Sequence, residues 1–146
     1  MLALQLRDDL VKGFMGRLLK EDVFNDFKVR TVDILAKIRF SLDGEMDGET
    51  KDFSMWSDIQ PLVFEIVRQM GRPSIFKIVL SHKEPPAIHE NASALFLNLM
   101  YENGKLTFTT ATSQKAFSLD KTLNSAWDEW VRGLFGSNGI EVSERE

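Results

Sequence analysis

The sequence predicts an α+β fold: an antiparallel sheet of about five or six strands packed by three helices. Three observations predict it. Apolar residues recur at helical spacing in three separate stretches, ending at Leu19, Met70 and Leu134. Between them, apolar and polar side chains alternate with the two-residue period of half-buried strands. Asn103-Gly104 joins two such strands as a hairpin, which argues for antiparallel neighbours rather than a parallel sheet. The expected order is β-α-β-α-β-β-β-β-α.

Leu2, Leu4 and Leu6 alternate with Ala3 and Gln5 as a first strand. Asp8 or Asp9 is placed to cap the helix that follows, whose stripe is Leu10, Val11, Phe14, Met15, Leu18 and Leu19. Gly13 and Gly16 weaken that helix unless something packs closely against them. Val32, Ile34, Ala36, Ile38, Phe40 and Leu42 then read as one long strand. Phe27 and Val29 sit on the other parity, so a bulge or tight turn must change the face between Val29 and Val32. Asp43-Gly44 and Asp47-Gly48 break the chain into an acidic loop.

Ile59, Leu62, Val63, Ile66, Val67 and Met70 form the second helical stripe, with Asp58 as the expected N-cap and Pro61 in the first turn. Gly71 and Pro73 end it. Ile75–Leu80 is a short strand, and 83–93 a polar loop. In the hairpin, a two-residue type I′ turn pairs Glu102 with Lys105, Tyr101 with Leu106, Leu99 with Phe108 and Leu97 with Thr110. That register puts Leu95, Leu97, Leu99, Leu106 and Phe108 on one face. Ala116–Leu119 is expected to continue the meander as a strand. The third helix carries Leu123, Ala126, Trp127, Trp130, Val131 and Leu134. Residues 1–136 are read as one domain and 137–146 as a flexible acidic tail. The expected core is Leu10, Phe14, Leu18, Ile34, Ile38, Phe40, Leu62, Ile66, Ile78, Leu97, Leu99, Phe108, Trp127 and Trp130.

Several of these stretches resemble a known family: Gly13-Phe14-Met15, Leu18-Leu19, Leu95-Phe96-Leu97-Asn98, Asn103-Gly104-Lys105-Leu106, Phe117-Ser118-Leu119-Asp120-Lys121-Thr122-Leu123 and Ala126-Trp127-Asp128-Glu129. It is a domain-of-unknown-function family of small proteins from anaerobic Gram-positive bacteria, and the likeness runs from about residue 1 to 135. These motifs are a hairpin and a helix cap. The resemblance implies one cytoplasmic α+β domain; it brings no activity, cofactor or catalytic residue.

Composition bounds the function. The 146 residues contain no Cys, which removes disulfides, thiol nucleophiles and cysteine-held metals. Net charge is −4, which argues against a generally basic nucleic-acid binder. The N-terminus lacks a basic region and a long apolar run, so no signal peptide or membrane span is expected and the cytoplasm is the expected compartment.

No motif fixes a chemistry. Asp43, Glu45, Asp47 and Gly48 have the opening spacing of a calcium loop. Thr50 falls at position 8 and Ser54 at position 12, where a bidentate Glu is needed, and the loop follows a strand rather than a helix, so the 43–52 segment reads as a solvated turn. His82, His89 and Glu90 are metal-ligand types, but a Pro85-Pro86 loop separates the histidines without a fixed frame, and they read as surface residues. Thr107, Thr109, Thr110, Thr112 and Ser113 read as a solvated sheet face rather than a ligand platform. Lys12, Arg17, Lys20, Lys28, Arg30, Lys37 and Arg39 would bind nucleic acid if they shared one surface, but six acids lie among them. Phe53, Met55 and Trp56 either form an exposed patch or close the acidic loop onto the core, and burial is the expectation.

The leading functional expectation is a non-catalytic interaction or scaffolding module, with a protein partner or a second copy of the chain. The alternative is an enzyme or small-ligand binder assembled only in the fold, with His82, Glu65 or Asp58 as candidates. Enzymatic activity is not the favoured reading, and no cofactor or metal is expected. A third reading rests on element order, which is similar to that of the modules of DNA sliding clamps; order alone sets no function.

Overall fold

The computed structural model describes residues 1–49 and 51–145. Its strands are β1 (Ala3–Leu6), β2 (Phe27–Leu35), β3 (Arg39–Asp43), β4 (Ile75–His82), β5 (Ala92–Glu102), β6 (Lys105–Gln114) and β7 (Val142–Glu144). The helices are α1 (Val11–Lys20), α2 (Trp56–Met70) and α3 (Thr122–Ser137). The strands form one antiparallel sheet in the order β3-β2-β4-β5-β6-β1-β7. The α+β class and the three helices are as the sequence predicts; the sheet has seven strands where about five or six are expected.

The β5–β6 hairpin has the predicted register, including Glu102 opposite Lys105 and Leu97 opposite Thr110. Asn103 and Gly104 both have positive φ, 53° and 78°, as a type I′ turn requires. The face change in β2 is a bulge between Val29 and Thr31. It turns Val29 and Val32 to the same side, and both are buried.

Three predicted elements differ. The expected strand over 32–42 is a hairpin: β2 ends at Leu35, β3 starts at Arg39, and the Ala36 N–H donates to the Ile38 carbonyl between them. Ile38 therefore lies in a turn, 57% exposed, and leaves the predicted core. The expected strand Ala116–Leu119 is a loop. The 137–146 segment, expected to be flexible, contains β7, whose Val142 pairs with Leu6 of β1. Ile140 is buried just before it, and β1 would otherwise present an unpaired edge.

Helix starts also shift. Asp8–Leu10 forms a 3-10 turn ahead of α1, and no side chain caps either start. Asp9 pairs with Arg7 instead. Helix α2 begins at Trp56 after an extended Met55, so Asp58 is not its cap and Pro61 lies in the second turn. Leu62, also expected in the core, is 50% exposed, while its neighbour Val63 is buried.

The central strands bury alternate residues along most of their length, β4 ending in three consecutive buried ones, Leu80, Ser81 and His82. Ile34, Ile78, Leu97, Leu99, Leu106 and Phe108 point into the core under the helices. Phe14 of α1 meets the Phe108 ring edge-on at 5.3 Å, and Phe135 of α3 packs on the same ring at 4.8 Å. Trp127 is fully buried, and its indole N–H donates to the Phe96 carbonyl at 2.9 Å. Trp130 is half-buried and stacks on it at 5.2 Å. Leu10, Phe40 and Ile66, expected in the core, line its margin. The opposite sheet face carries Val79, Phe96, Asn98, Met100, Thr107 and Thr109, all half-buried. A half-wet face is the usual state of an antiparallel sheet.

Candidate functional site

The acidic loop is tied down locally. The Asp43 carboxylate accepts the Glu45 N–H at 2.8 Å. The Asp52 carboxylate accepts from the Lys28 ammonium at 2.6 Å and from the Phe53 N–H at 2.8 Å, which holds its pKa below the usual carboxylate range. Glu45 and Phe53 form an isolated bridge across the loop. Thr50 lies outside the described residues, and among the described residues no three acidic or His side chains gather to hold a metal. Trp56 is buried, with Phe53 and Met55 half-buried beside it, so the three close the loop onto the fold. Phe53 also stacks on the Arg30 guanidinium at 4.0 Å, on the uncovered sheet face, where Arg30 donates to Ser81 Oγ at 3.1 Å.

The two histidines do local work. Nδ1 of His82 accepts the Glu84 N–H at 3.0 Å, and Nδ1 of His89 accepts the Asn91 N–H at 3.1 Å. Each thus closes a turn two residues ahead. His82, expected at the surface, is instead buried against Phe27, Trp127 and Trp130, with its ring 4.9 Å from that of Trp130. Burial pushes its pKa below the ordinary value, against the opposing pull of Asp26 and the Glu84 N–H. Glu65 is engaged by Arg68 on the outside of α2, and Asp58 is exposed in its first turn. No catalytic grouping of His82, Glu65 and Asp58 results.

The basic residues of the first third do not gather. Lys12, Arg17 and Lys20 are on α1, Lys28 and Arg30 on β2, and Lys37 and Arg39 at the β2–β3 turn. Arg17 pairs with Glu21 at 3.2 Å and donates to the Asn138 carbonyl at 2.6 Å. The hydroxyls also separate. Thr107 and Thr109 are on the half-exposed sheet face, while buried Thr110 donates to Asp128 at 2.6 Å and accepts the Leu2 N–H at 2.8 Å. A depression of about 740 Å³ beside β1 and β7 is lined by the pairs Arg7–Asp9 and Lys105–Asp8 together with Glu141.

The feature that sequence reasoning misses is the 115–121 loop. Phe117 is 87% exposed and Leu119 85%. The backbone around them is held by side chains from elsewhere. Asn91 bonds both backbone groups of Ala116, donating to its carbonyl at 2.9 Å and accepting its N–H at 3.0 Å. Gln114 does the same for Ser118, at 3.2 and 2.9 Å. The Ser118 hydroxyl then accepts the Asp120 N–H, and the Asp120 carboxylate accepts the Thr122 N–H at the start of α3. Beneath the loop lies a hollow of about 470 Å³, lined by His89, Glu90, Asn91 and Gln114. Ser118 and Asp120, turn-forming residues among the apolar ones, are the local signal for a loop here.

The fold and these features define a helix-backed antiparallel-sheet protein. Residues 17–143 match the family of unknown function DUF5721, and the chain belongs to that family. No curated protein and no solved structure matches the chain significantly. No helix among the described residues is long and apolar enough to cross a membrane.

Proposed function

We propose that this protein is a non-catalytic protein-interaction module that docks through the 115–121 loop. One observation carries the reading: two large apolar side chains, Phe117 and Leu119, stand almost wholly in water on a backbone braced at both Ala116 and Ser118. Single exposed apolar residues are ordinary, but two of them flanking Ser118 on a pinned loop make an anchor whose ordering cost is met before binding. The complementary partner is a protein with an apolar groove that receives both side chains. The absence of Cys fits a cytoplasmic setting, and we place the family in anaerobic Gram-positive bacteria.

A photo-crosslinking amino acid at position 117, introduced in the source cells, tests the reading. The expected result is a small set of discrete protein adducts that are missing when the same group stands at exposed Glu129 on α3. Identical adducts from both positions would overturn it.

A further inference from the structure

A second concavity lies at the other end of the sheet, where α1, the end of α2 and the β5–β6 turn meet. Its volume of about 420 Å³ falls in the range of small-molecule pockets. The walls are apolar: Met15 and Leu19 from α1, Val67 from α2, with Pro73 and the Tyr101 ring opposite. Two cations, Lys12 and Arg72, stand at its rim.

Of the chain's 18 Lys and Arg side chains, seven have a carboxylate partner among the described residues, and neither rim cation is one of them. Arg7, Arg17, Lys28, Arg68, Lys83, Lys105 and Arg132 each have a carboxylate within 4.0 Å. Among the described residues, neither Lys12 nor Arg72 does. Asp8, also at the rim, is engaged by Lys105 at 3.7 Å. Arg72 is held by a neutral group instead. Its Nε–H donates to the Tyr101 hydroxyl at 2.8 Å, and its Nη2 lies over Gly104, 3.7 Å from where a Cβ would stand. The guanidinium is thus oriented while its remaining N–H donors are not committed to a protein acid.

We infer that this cleft binds a small amphipathic carboxylate, its apolar body between α1 and Tyr101 and its carboxylate on Arg72 and Lys12. An oriented guanidinium suits the planar carboxylate fork, and Lys12 adds charge without demanding geometry. The apolar walls supply the larger share of binding through area removed from water. The site is independent of the docking loop, which lies at the opposite end of β5 and β6.

Titration of the full chain with octanoate, acetate and 1-octanol, followed by amide chemical shifts and calorimetry, tests the inference. Octanoate should bind saturably, with shifts centred on Met15, Leu19 and Tyr101. Acetate and 1-octanol should each bind about tenfold more weakly or less. Arg72→Gln should weaken octanoate about tenfold with Arg72→Lys intermediate, and Lys12→Gln should weaken it by a smaller factor. Lys12 is exposed on α1, so that variant tests the charge requirement even if Arg72→Gln unfolds. No saturable binding of octanoate, equal binding of octanoate and 1-octanol, or octanoate affinity unchanged in the folded variants would overturn the inference.

Discussion

The Asn91 carboxamide takes both backbone groups of Ala116, a residue 25 positions away: it donates to the carbonyl at 2.9 Å and accepts the N–H at 3.0 Å. The Asn91 backbone adds a third tie, its carbonyl accepting the Lys115 N–H at 2.8 Å. The start of the 115–121 loop is therefore fixed to the segment that enters β5, and Phe117 follows directly from that anchor. Asn91→Ala should cost about 1–2 kcal/mol in stability, since two partly exposed hydrogen bonds go at once. The loop amides from Ala116 to Asp120 should exchange with solvent faster than in the wild type. Urea denaturation and hydrogen exchange check the two outcomes.

Trp127 joins packing to a buried polar contact. Trp127→Ala removes a fully buried indole and leaves the Phe96 carbonyl without its donor, so it should cost about 3–5 kcal/mol. Trp130→Ala should cost less, because Trp130 is half-buried. Denaturation midpoints of the two variants check the order.

Glycines at different sites should respond with opposite signs. A Cβ on Gly44 would lie 1.9 Å from the Val29 carbonyl oxygen, where Gly44 also donates to Arg30 and accepts from Ser54, both at 2.8 Å. Gly44→Ala must push this crossing apart and should cost about 1–3 kcal/mol or more. A Cβ on Gly16 meets nothing within 4 Å, so Gly16→Ala should stabilise α1 by up to about 1 kcal/mol. Thermal melts of both variants decide the signs.

His82 gives the fold a pH dependence of defined sign. Its folded-state pKa is lowered from the ordinary 6.5, first by burial, with Lys83 acting in the same direction and Asp26, Glu84 and the Glu84 N–H opposing. The unfolded chain therefore takes up a proton that the folded chain refuses. The stability held by neutral His82 is fully present above about pH 6.5 and is lost as pH falls through the unfolded value towards the lower folded one. Denaturation of the wild type and His82→Phe at about pH 7.5 and about pH 5.5 isolates this contribution. The wild type should lose more stability between the two pH values than the variant does; equal losses would remove His82 from the account.

The legibility of this chain follows parity. The Asn103-Gly104 turn has two residues, so the partners Leu99 and Phe108 sit on opposite parities and the turn interrupts the alternation visibly. The β2–β3 turn has three residues. It pairs Ile34 with Phe40 and Val32 with Leu42, all on even positions, so the hairpin has the same apolar pattern as one continuous strand. Phe117 and Leu119 alternate like strand residues, yet the side chains that fold them into a loop, Asn91 and Gln114, belong to β5–β6 and the turn before it. The short β7 carries one apolar residue, too few to show a period. What local periodicity encodes was readable; what depends on bonds between distant segments, including the candidate docking loop, was not.

The central claim is that Phe117 and Leu119 are exposed in order to be covered. The most direct measurement is quantitative affinity purification from the source cells with the wild type and with a Phe117→Ser, Leu119→Ser variant, alongside a Glu129→Ser control. The account predicts that the double variant keeps the wild-type melting temperature and loses a discrete partner that the control retains. An unchanged partner profile in the folded double variant would contradict it.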